Sequence, residues 1–377
     1  MEKLRIAFAY DNAFPWFNGG VEVRRFHIMK KLADAGNDVH CFTMLREGMP
    51  SKEFVYKGIK YHCCGIAMPK EKMYIHGRRN ISWPIKYAVI SFFKLFRYRF
   101  DLIDADAFPF LHIPFISIYA FFTHAKFVVT WHEVWTKEYW KRYLGPFLWV
   151  FGYFAERLSS RLTKIYIANS EETKRRLVKE FGVSASSVLA FPAAISSDEM
   201  HVKKPKRKNS FLTIGRLVPE KRIDMSIMAI DKSGAGLTVV GSGPEENNLK
   251  ELAKELGLER KIVFRQRVGR RALFRIIMES KGLLMFSARE GLSIVTIEAM
   301  VLGTPVFVVK STILPKEVKR LCIKIDERNL VKSIKEVLRN YSKYEEKARS
   351  IKGIALREFS ADMAPQFYMK LMSLLGK

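Results

Sequence analysis

Arg289-Glu-Gly-Leu-Ser-Ile-Val-Thr-Ile-Glu-Ala-Met-Val-Leu-Gly-Thr-Pro305 follows the apolar run Gly282-Leu-Leu-Met-Phe-Ser287 and precedes a second, Val306-Phe-Val-Val309. Short apolar runs on either side of a glycine-containing turn predict strand, tight loop, short helix and strand. Two carboxylates mark the stretch. Glu290 falls in the loop beside Gly291, and Glu298 lies two helical turns on among apolar residues, where an unpaired charge is costly to bury. Both are therefore expected to face a cleft. Between them, the amides of Gly291, Leu292, Ser293 and Ile294 fall where the helix begins, and free N–H groups at such a position bind anions such as phosphate. The combination suggests a sugar-nucleotide site. Taken alone, a pair of glutamates would be read as one solvated loop residue and one surface helix residue, so the rest of the chain must decide.

At 377 residues the chain exceeds one typical core and predicts two domains. Hydrophobic residues make up 48%, which excludes general disorder. Lys and Arg total 65 against 38 Asp and Glu, a formal charge of +27 that favours phosphorylated substrates, nucleic acid or an acidic membrane face without choosing among them. Cys41, Cys63, Cys64 and Cys322 form neither a disulfide framework nor a zinc pattern, and the N-terminus has no signal-peptide character; a reducing, cytoplasmic setting is expected. Ala107 to Ala125 carries no Lys, Arg, Asp or Glu, but Pro109, His112, Pro114 and His124 interrupt it, which fits a loop and a buried helix better than a membrane span.

The first strand is expected over Leu4 to Ala9, followed by a loop with Gly19-Gly20 and a helix over Val21 to Ala33. Glycines at a helix start let backbone approach a phosphate, although two glycines equally make a flexible turn, and G-x-G-x-x-G is absent. Asn37 to Thr43 and Phe54 to Cys63 read as strands. Trp83 to Phe96 mixes Lys86 and Lys94 with aromatic residues, which suits either an anionic membrane surface or a core helix with a charged outer face. Asp104-Ala-Asp106 and Trp131-His-Glu133 close two further strands. The carboxylate pair is read as ordinary strand-end chemistry and not as a metal site. His132 is the foremost polar candidate at a strand end, where open α/β sheets place ligands, though a structural histidine satisfied by backbone is the other reading. Met200 to Asn209, with Lys203-Lys-Pro-Lys-Arg-Lys208, is expected to be a solvated interdomain linker. Beyond it the alternation restarts, with strands at Phe211, Leu237, Ile262, Leu283, Val306 and Cys322, and the chain closes in helices.

Gly215-Arg-Leu-Val-Pro-Glu-Lys221 follows the first strand after this linker, and Arg and Lys so placed can hold a diphosphate from two directions. With Val239-Val-Gly-Ser-Gly-Pro-Glu245 and the E-G-L-S-x4-E-A-M-x2-G-T-P stretch, the chain resembles the retaining glycosyltransferases of family 4, also called group 1. The C-terminal half carries most of the likeness; Asn18-Gly-Gly-Val21 and Trp131-His-Glu133 extend it more loosely to the N-terminal half. The resemblance implies an α/β GT-B architecture of two Rossmann-like, doubly wound domains facing across a cleft. Residues 1–199 would form the acceptor side, 200–357 the donor side, and a helix of about 358–377 would pack back on the first domain. It implies Arg216, Lys221, Gly19 and Gly20 at the donor diphosphate, amides of Gly291 to Ile294 at sugar and phosphate, Glu298 at the ribose, Arg267 and Val268 at the base, and Glu290 and His132 as catalytic residues. It further implies hexosyl transfer from a nucleotide-sugar donor, without cofactor or divalent metal. The acceptor suggested by the basic and aromatic segments is lipid-linked, with the enzyme peripheral at the inner face of an anionic membrane. A sugar-nucleotide epimerase of the same fold and a basic nucleic-acid-binding protein are the alternatives, the latter without any nucleic-acid motif. Two loops depart from the family pattern, Arg265-Gln-Arg267 and Lys310-Ser-Thr, where glycines are usual.

Overall fold

The computed structural model describes residues 3–68, 74–75, 78–80, 82–200, 203, 205–266 and 268–376. The chain divides into two compact units, Met1–Ala194 with Ala361–Lys377, and Ile195–Ser360.

In the first unit, strands β1 (Arg5–Ala9), β2 (Asp38–Leu45), β3 (Glu53–Tyr56) and β4 (Ile59–Ile66) are followed by a small hairpin, β5 (Tyr74–Ile75) with β6 (Arg78–Arg79). Then come β7 (Leu102–Asp106), β8 (Lys126–Trp131), β9 (Ile165–Ala168) and β10 (Val188–Ala190). Eight strands form one sheet in the order β10-β9-β8-β7-β1-β2-β4-β3, parallel except for the β3–β4 edge. The run expected as a single strand from Phe54 to Cys63 is this edge hairpin. Its two turn residues, Lys57 and Gly58, both have positive φ, the geometry that matches a two-residue turn to the strand twist. The inner strands are buried on both faces, which explains why they read as unbroken apolar runs.

Helices α1 (Gly20–Asp34), α2 (Ser82–Leu95), α3 (Ile113–Thr123), α4 (Lys137–Ser159) and α5 (Glu171–Phe181) connect the strands. With right-handed crossovers, the strand order places α2, α3 and α4 on one face, α2 packed against α3, and α1 on the other. The last helix of the chain joins α1 there, with Lys31 Nζ 2.7 Å from Asp362 just before it. α5 shows its sequence signals plainly: Ser170 caps its start, Glu171 and Glu172 occupy the first turn, and Gly182 ends it in the left-handed conformation. The apolar stretch from Ala107 shrinks to the eleven-residue α3, and no described helix is long and apolar enough to cross a membrane.

The second unit contains six parallel strands, β11 (Ser210–Ile214), β12 (Gly236–Val240), β13 (Ile262–Arg265), β14 (Leu283–Leu284), β15 (Val306–Val308) and β16 (Ile323–Lys324). Their order is β13-β12-β11-β14-β15-β16. This is a doubly wound sheet whose order reverses between β11 and β14, the position at which such sheets bind ligands. Its helices are α6 (Ile223–Ile230), α7 (Glu246–Glu255), α8 (Arg270–Glu279), α9 (Ile294–Val301), α10 (Lys316–Lys319), α11 (Leu330–Arg339) and α12 (Tyr341–Phe359); α13 (Ala364–Leu375) belongs to the first unit. The expected linker is only partly solvated. Arg207 donates to the carbonyls of Met278 (3.2 Å), Ser280 (2.5 Å) and Gly303 (2.8 Å) and pairs with Glu345, because its guanidinium can satisfy the orphaned C=O groups at the ends of α8 and α9.

The β2–β4 edge also contains a pH-sensitive pair. His40 Nδ1 lies 2.8 Å from His62 Nε2, and burial pushes the His40 imidazole down to about 4, against the pull of Asp38; His62 is lowered for the same reason. With folded values below the ordinary 6.5, the unfolded chain takes up protons first. Stability is therefore full above pH 6.5 and falls as the pH drops from there towards about 4. Melting temperatures measured across that window should decline, and decline less in His40→Gln; equal slopes in both proteins would remove this explanation.

Candidate functional site

In the second unit the sequence-predicted residues gather at the switch point. Gly215 follows β11, and the chain runs through Arg216 into the 3-10 turn Pro219–Lys221, whose neighbour across the sheet is the segment after β14. Backbone bonds fix this loop from two sides. Leu217 N–H donates to Ser242 O at 3.0 Å and Glu245 N–H to Leu217 O at 3.1 Å, while Ala288 N–H donates to Glu220 O at 2.8 Å. The Gly241-Ser-Gly243 turn owes its glycines to this approach: a Cβ on Gly241 would stand 1.8 Å from Gly215 O, and one on Gly243 2.2 Å from Leu217 O.

The loop delivers Lys221 to Glu290. Their Nζ and Oε1 lie 2.5 Å apart, with Glu290 largely buried and its amide donating to Ile313 O at 3.0 Å. Arg216 is exposed on the same loop. After Glu290 the chain turns through Ser293 in the left-handed conformation (φ 64°) and enters α9, so the amides of Gly291 to Ile294 occupy the helix start as the sequence predicted. The Leu292 side chain is buried, leaving the turn to present backbone.

Glu298 departs from expectation. It does not stand open: it is buried, with Oε1 2.5 Å from an Arg270 guanidinium nitrogen, and Arg270 reaches Glu199 at 3.2 Å with its other arm. Burial pushes the Glu298 carboxyl above its ordinary range, against the pull of Arg270. A charge this deep requires a cation, and α8 provides it at its first residue. Sequence reasoning stopped at Arg267 and Val268 and missed Arg270, three residues on; the run Arg267-Val-Gly-Arg-Arg271 before a helix was the available signal. Arg267 itself lies outside the described residues, and Val268 precedes Gly269 at the N-terminus of α8. Arg222 was missed as well. It follows Lys221 with φ 47° and donates at 2.7 Å to Ser311 Oγ, whose amide donates to Glu327. The departing Lys310-Ser-Thr loop is thereby tied to the Lys221 turn.

In the first unit, β1 leads to Gly19 and Gly20 at the start of α1. The Glu22 carboxylate folds back over this start, so that a Cβ on Gly19 would lie 2.2 Å from Glu22 Oε2. An anion at these amides would have to displace that carboxylate. His132 follows β8, with Nε2 2.5 Å from Asp106 Oδ1 at the end of β7. Burial pushes its imidazole below the ordinary value, against the pull of Asp106. The neutral ring can then donate from Nε2 and keep a lone pair on Nδ1. Asp104 and Asp106 are both engaged by Arg25, at 2.8 Å each, which accords with strand-end carboxylates and leaves them poorly placed for a metal.

Known proteins give this geometry a context. Residues 18–199 match the family described as Glycosyltransferase Family 4, and residues 196–353 that described as Glycosyl transferases group 1. Over 101 residues the chain is 34% identical to an uncharacterized glycosyltransferase of Methanocaldococcus jannaschii, and over 147 residues 31% identical to one of Haemophilus influenzae. These alignments take in 26% and 36% of this chain and span only 26% and 41% of those relatives' lengths. Among solved structures, sucrose-phosphate synthase from Thermosynechococcus elongatus matches over 99% of this chain and 100% of its own, with 16% identity and a TM-score of 0.77. HepE of Anabaena in complex with UDP matches over 98% and 100%, with 16% identity and a TM-score of 0.73. At such identities the likeness shows the fold.

Proposed function

Since the chain belongs to the glycosyltransferases of the GT-B type, a family 4 half preceding a group 1 half, we propose that it transfers a hexose from a nucleoside-diphosphate sugar to an acceptor with retention of configuration. The observation that carries this reading is the Lys221–Glu290 pair at the switch point, one cation and one carboxylate held together beside a helix start. A nucleoside diphosphate gains negative charge as it departs, and fixed cations and amides stabilise that charge without reorganising. Lys221, Arg216 and the amides from Gly291 to Ile294 serve the diphosphate. Glu290 faces the donor sugar, where positive charge develops at the anomeric carbon. Glu298, buried against Arg270 in the free protein, takes the ribose hydroxyls once that pair opens. In the first unit, Gly19 and Gly20 serve the diphosphate once Glu22 yields, and His132, aligned by Asp106, serves the transferred sugar.

Retention then follows from same-face attack: the anomeric carbon–phosphate oxygen bond breaks, the acceptor oxygen bonds on the same face, and its proton passes to the departing phosphate. No divalent metal enters this scheme. The acceptor is a membrane-borne, lipid-linked molecule, and the enzyme works at the cytoplasmic face; the basic balance of the chain and its exposed aromatic helices support this. Neither an epimerase nor a nucleic-acid-binding protein is favoured, since both halves of the chain match glycosyltransferase families.

A nucleoside diphosphate such as UDP, added at about a hundred times its dissociation constant, should stabilise the unit that binds it by about 2.7 kcal/mol. A thermal-shift screen of nucleoside diphosphates and their sugars reads this directly, and the best donor is then incubated with lipid extract, with and without chelator. Glycosylated lipid formed equally in both supports the scheme. A donor consumed without acceptor would point to the epimerase, and no shift with any nucleotide would end the proposal.

A further inference from the structure

We propose that the outer face of the α2–α3–α4 layer in the first unit docks on an anionic lipid bilayer. This deepens the membrane-borne acceptor of the proposed function and rests on that reading for its purpose, although docking itself requires no turnover. The central observation is the second half of α4. Its helix breaks at Gly145 (φ 87°) beside Pro146, and beyond the break Phe147, Phe151 and Phe154 are 83%, 73% and 64% exposed. Spaced by four and three residues, and continued by Leu158, they form one stripe on one side of the helix. The opposite side holds Glu156, which is buried and accepts from the Trp135 amide at 2.7 Å and from Trp140 Nε1 at 2.6 Å. Those bonds fix the helix rotation, so the apolar stripe is turned outward by structure.

The neighbouring helices repeat the pattern. α3 exposes Phe121 and Phe122, and α2 exposes Val89 and Phe93 one turn apart. Phe92 packs on Phe115, with ring centroids 5.6 Å apart, and Phe96 on Tyr119 at 5.1 Å, so the two outward faces adjoin. Contiguous apolar surface of this kind on a soluble unit marks an interaction site.

Charge selects the occupant. Neither α2 nor α3 contains a carboxylate, while Lys86, Arg97, Arg99 and Arg142 are exposed around the layer. Lys137 and Lys141, on the first half of α4, add two cations beside the stripe, with Nζ 5.5 and 5.0 Å from the ring centroids of Tyr153 and Trp149. A protein partner of matching area would be specified by polar groups among the apolar ones. The exposed stripes are ridges of Phe, Leu and Val without such groups, which a fluid anionic bilayer accepts and a shaped protein surface does not.

The test is sedimentation of the full chain with vesicles of phosphatidylglycerol and phosphatidylcholine, and with phosphatidylcholine alone. Binding to the anionic vesicles at low salt, weakened by added salt, is expected. The variant Phe147→Asn/Phe151→Asn/Phe154→Asn should lower the partition coefficient at least about a hundredfold, since each ring immersed contributes roughly tenfold or more. Lys86→Glu/Arg97→Glu, which leaves the stripe intact, should weaken binding to anionic vesicles alone. The thermal shift produced by UDP in the other unit should be unchanged in both variants, which separates this proposal from the transferase reading. Absence of wild-type binding to anionic vesicles would overturn the proposal, as would equal binding by the triple variant. A concentration-dependent dimer abolished by the triple substitution, without vesicle binding, would assign the face to a second copy. Vesicle binding without donor turnover would instead count against the transferase.

Discussion

On the proposed function, Glu290→Gln should lower turnover by about 10²–10³-fold while leaving the affinity for nucleoside diphosphate unchanged or slightly higher. The substitution keeps the shape of the side chain and removes its charge. Glu290 is largely buried, so in the resting protein its carboxylate and the Lys221 ammonium 2.5 Å away neutralise one another in a poorly screened setting. In the proposed reaction the anomeric carbon becomes electron-poor and the diphosphate electron-rich as the glycosidic bond breaks, and the two charges of the pair would face the two developing charges. The amide cannot serve the first of these. Lys221, relieved of its partner, serves the second as well as before or better, and binding survives. Lys221→Met should do the opposite and weaken diphosphate binding at least about tenfold, as expected when a charge-assisted contact is lost. Steady-state kinetics with calorimetric titration of the nucleotide distinguish the two variants. Equal losses of turnover and affinity in Glu290→Gln would mean that the residue only props the loop, and the catalytic role would fall.

The loop between β14 and α9 was legible because its signals are local. Gly291 and Ser293 mark the turn, the apolar residues of α9 follow at helical spacing, and Pro305 precedes the next strand. Strand alternation in both units was equally visible, since parallel strands buried on both faces announce themselves as short apolar runs. What stayed hidden was pairing across the chain. Arg270 reaches Glu298 over 28 positions, and Tyr368 reaches Asp104 over 264. No periodicity records such contacts; a lone buried carboxylate announces only that a cation must exist somewhere. Arg207 shows the converse error, a basic residue in a charged run that composition assigned to solvent and that instead closes the ends of two helices. Lys57-Gly58 shows a third, a turn short enough to vanish inside an apolar pattern.

Arg25→Met should destabilise the first unit by about 3–5 kcal/mol. Its guanidinium is almost wholly enclosed and lies 2.8 Å from Asp104 Oδ2, 2.8 Å from Asp106 Oδ2 and 2.7 Å from the Asp104 carbonyl. Burial alone would lower its proton affinity, yet the two carboxylates hold it above the ordinary value. Thr130 donates to the second Asp104 oxygen at 2.6 Å and the Tyr368 hydroxyl to the first, so Asp104 is bonded through both oxygens, while Asp106 faces the Arg25 Nε as an ion pair. Its neighbour Arg24, with burial pushing it down to about 10, has no comparable carboxylate contact and cannot substitute. Removing Arg25 strands two buried charges; removing the Tyr368 hydroxyl alone costs about one hydrogen bond, so Tyr368→Phe should lose only about 1 kcal/mol. All six tryptophans, Trp16, Trp83, Trp131, Trp135, Trp140 and Trp149, lie in this unit, and intrinsic fluorescence therefore reports its unfolding separately from the other. A drop in its midpoint on the order of 10 °C is expected for Arg25→Met. Combining it with Asp104→Asn and Asp106→Asn should recover part of the loss, because neutral side chains no longer need the cation. If Arg25→Met melts within a degree or two of the parent, the cluster does not hold β7 to α1. Asp106 would then owe its position to its own strand, and the alignment of His132 would not depend on Arg25.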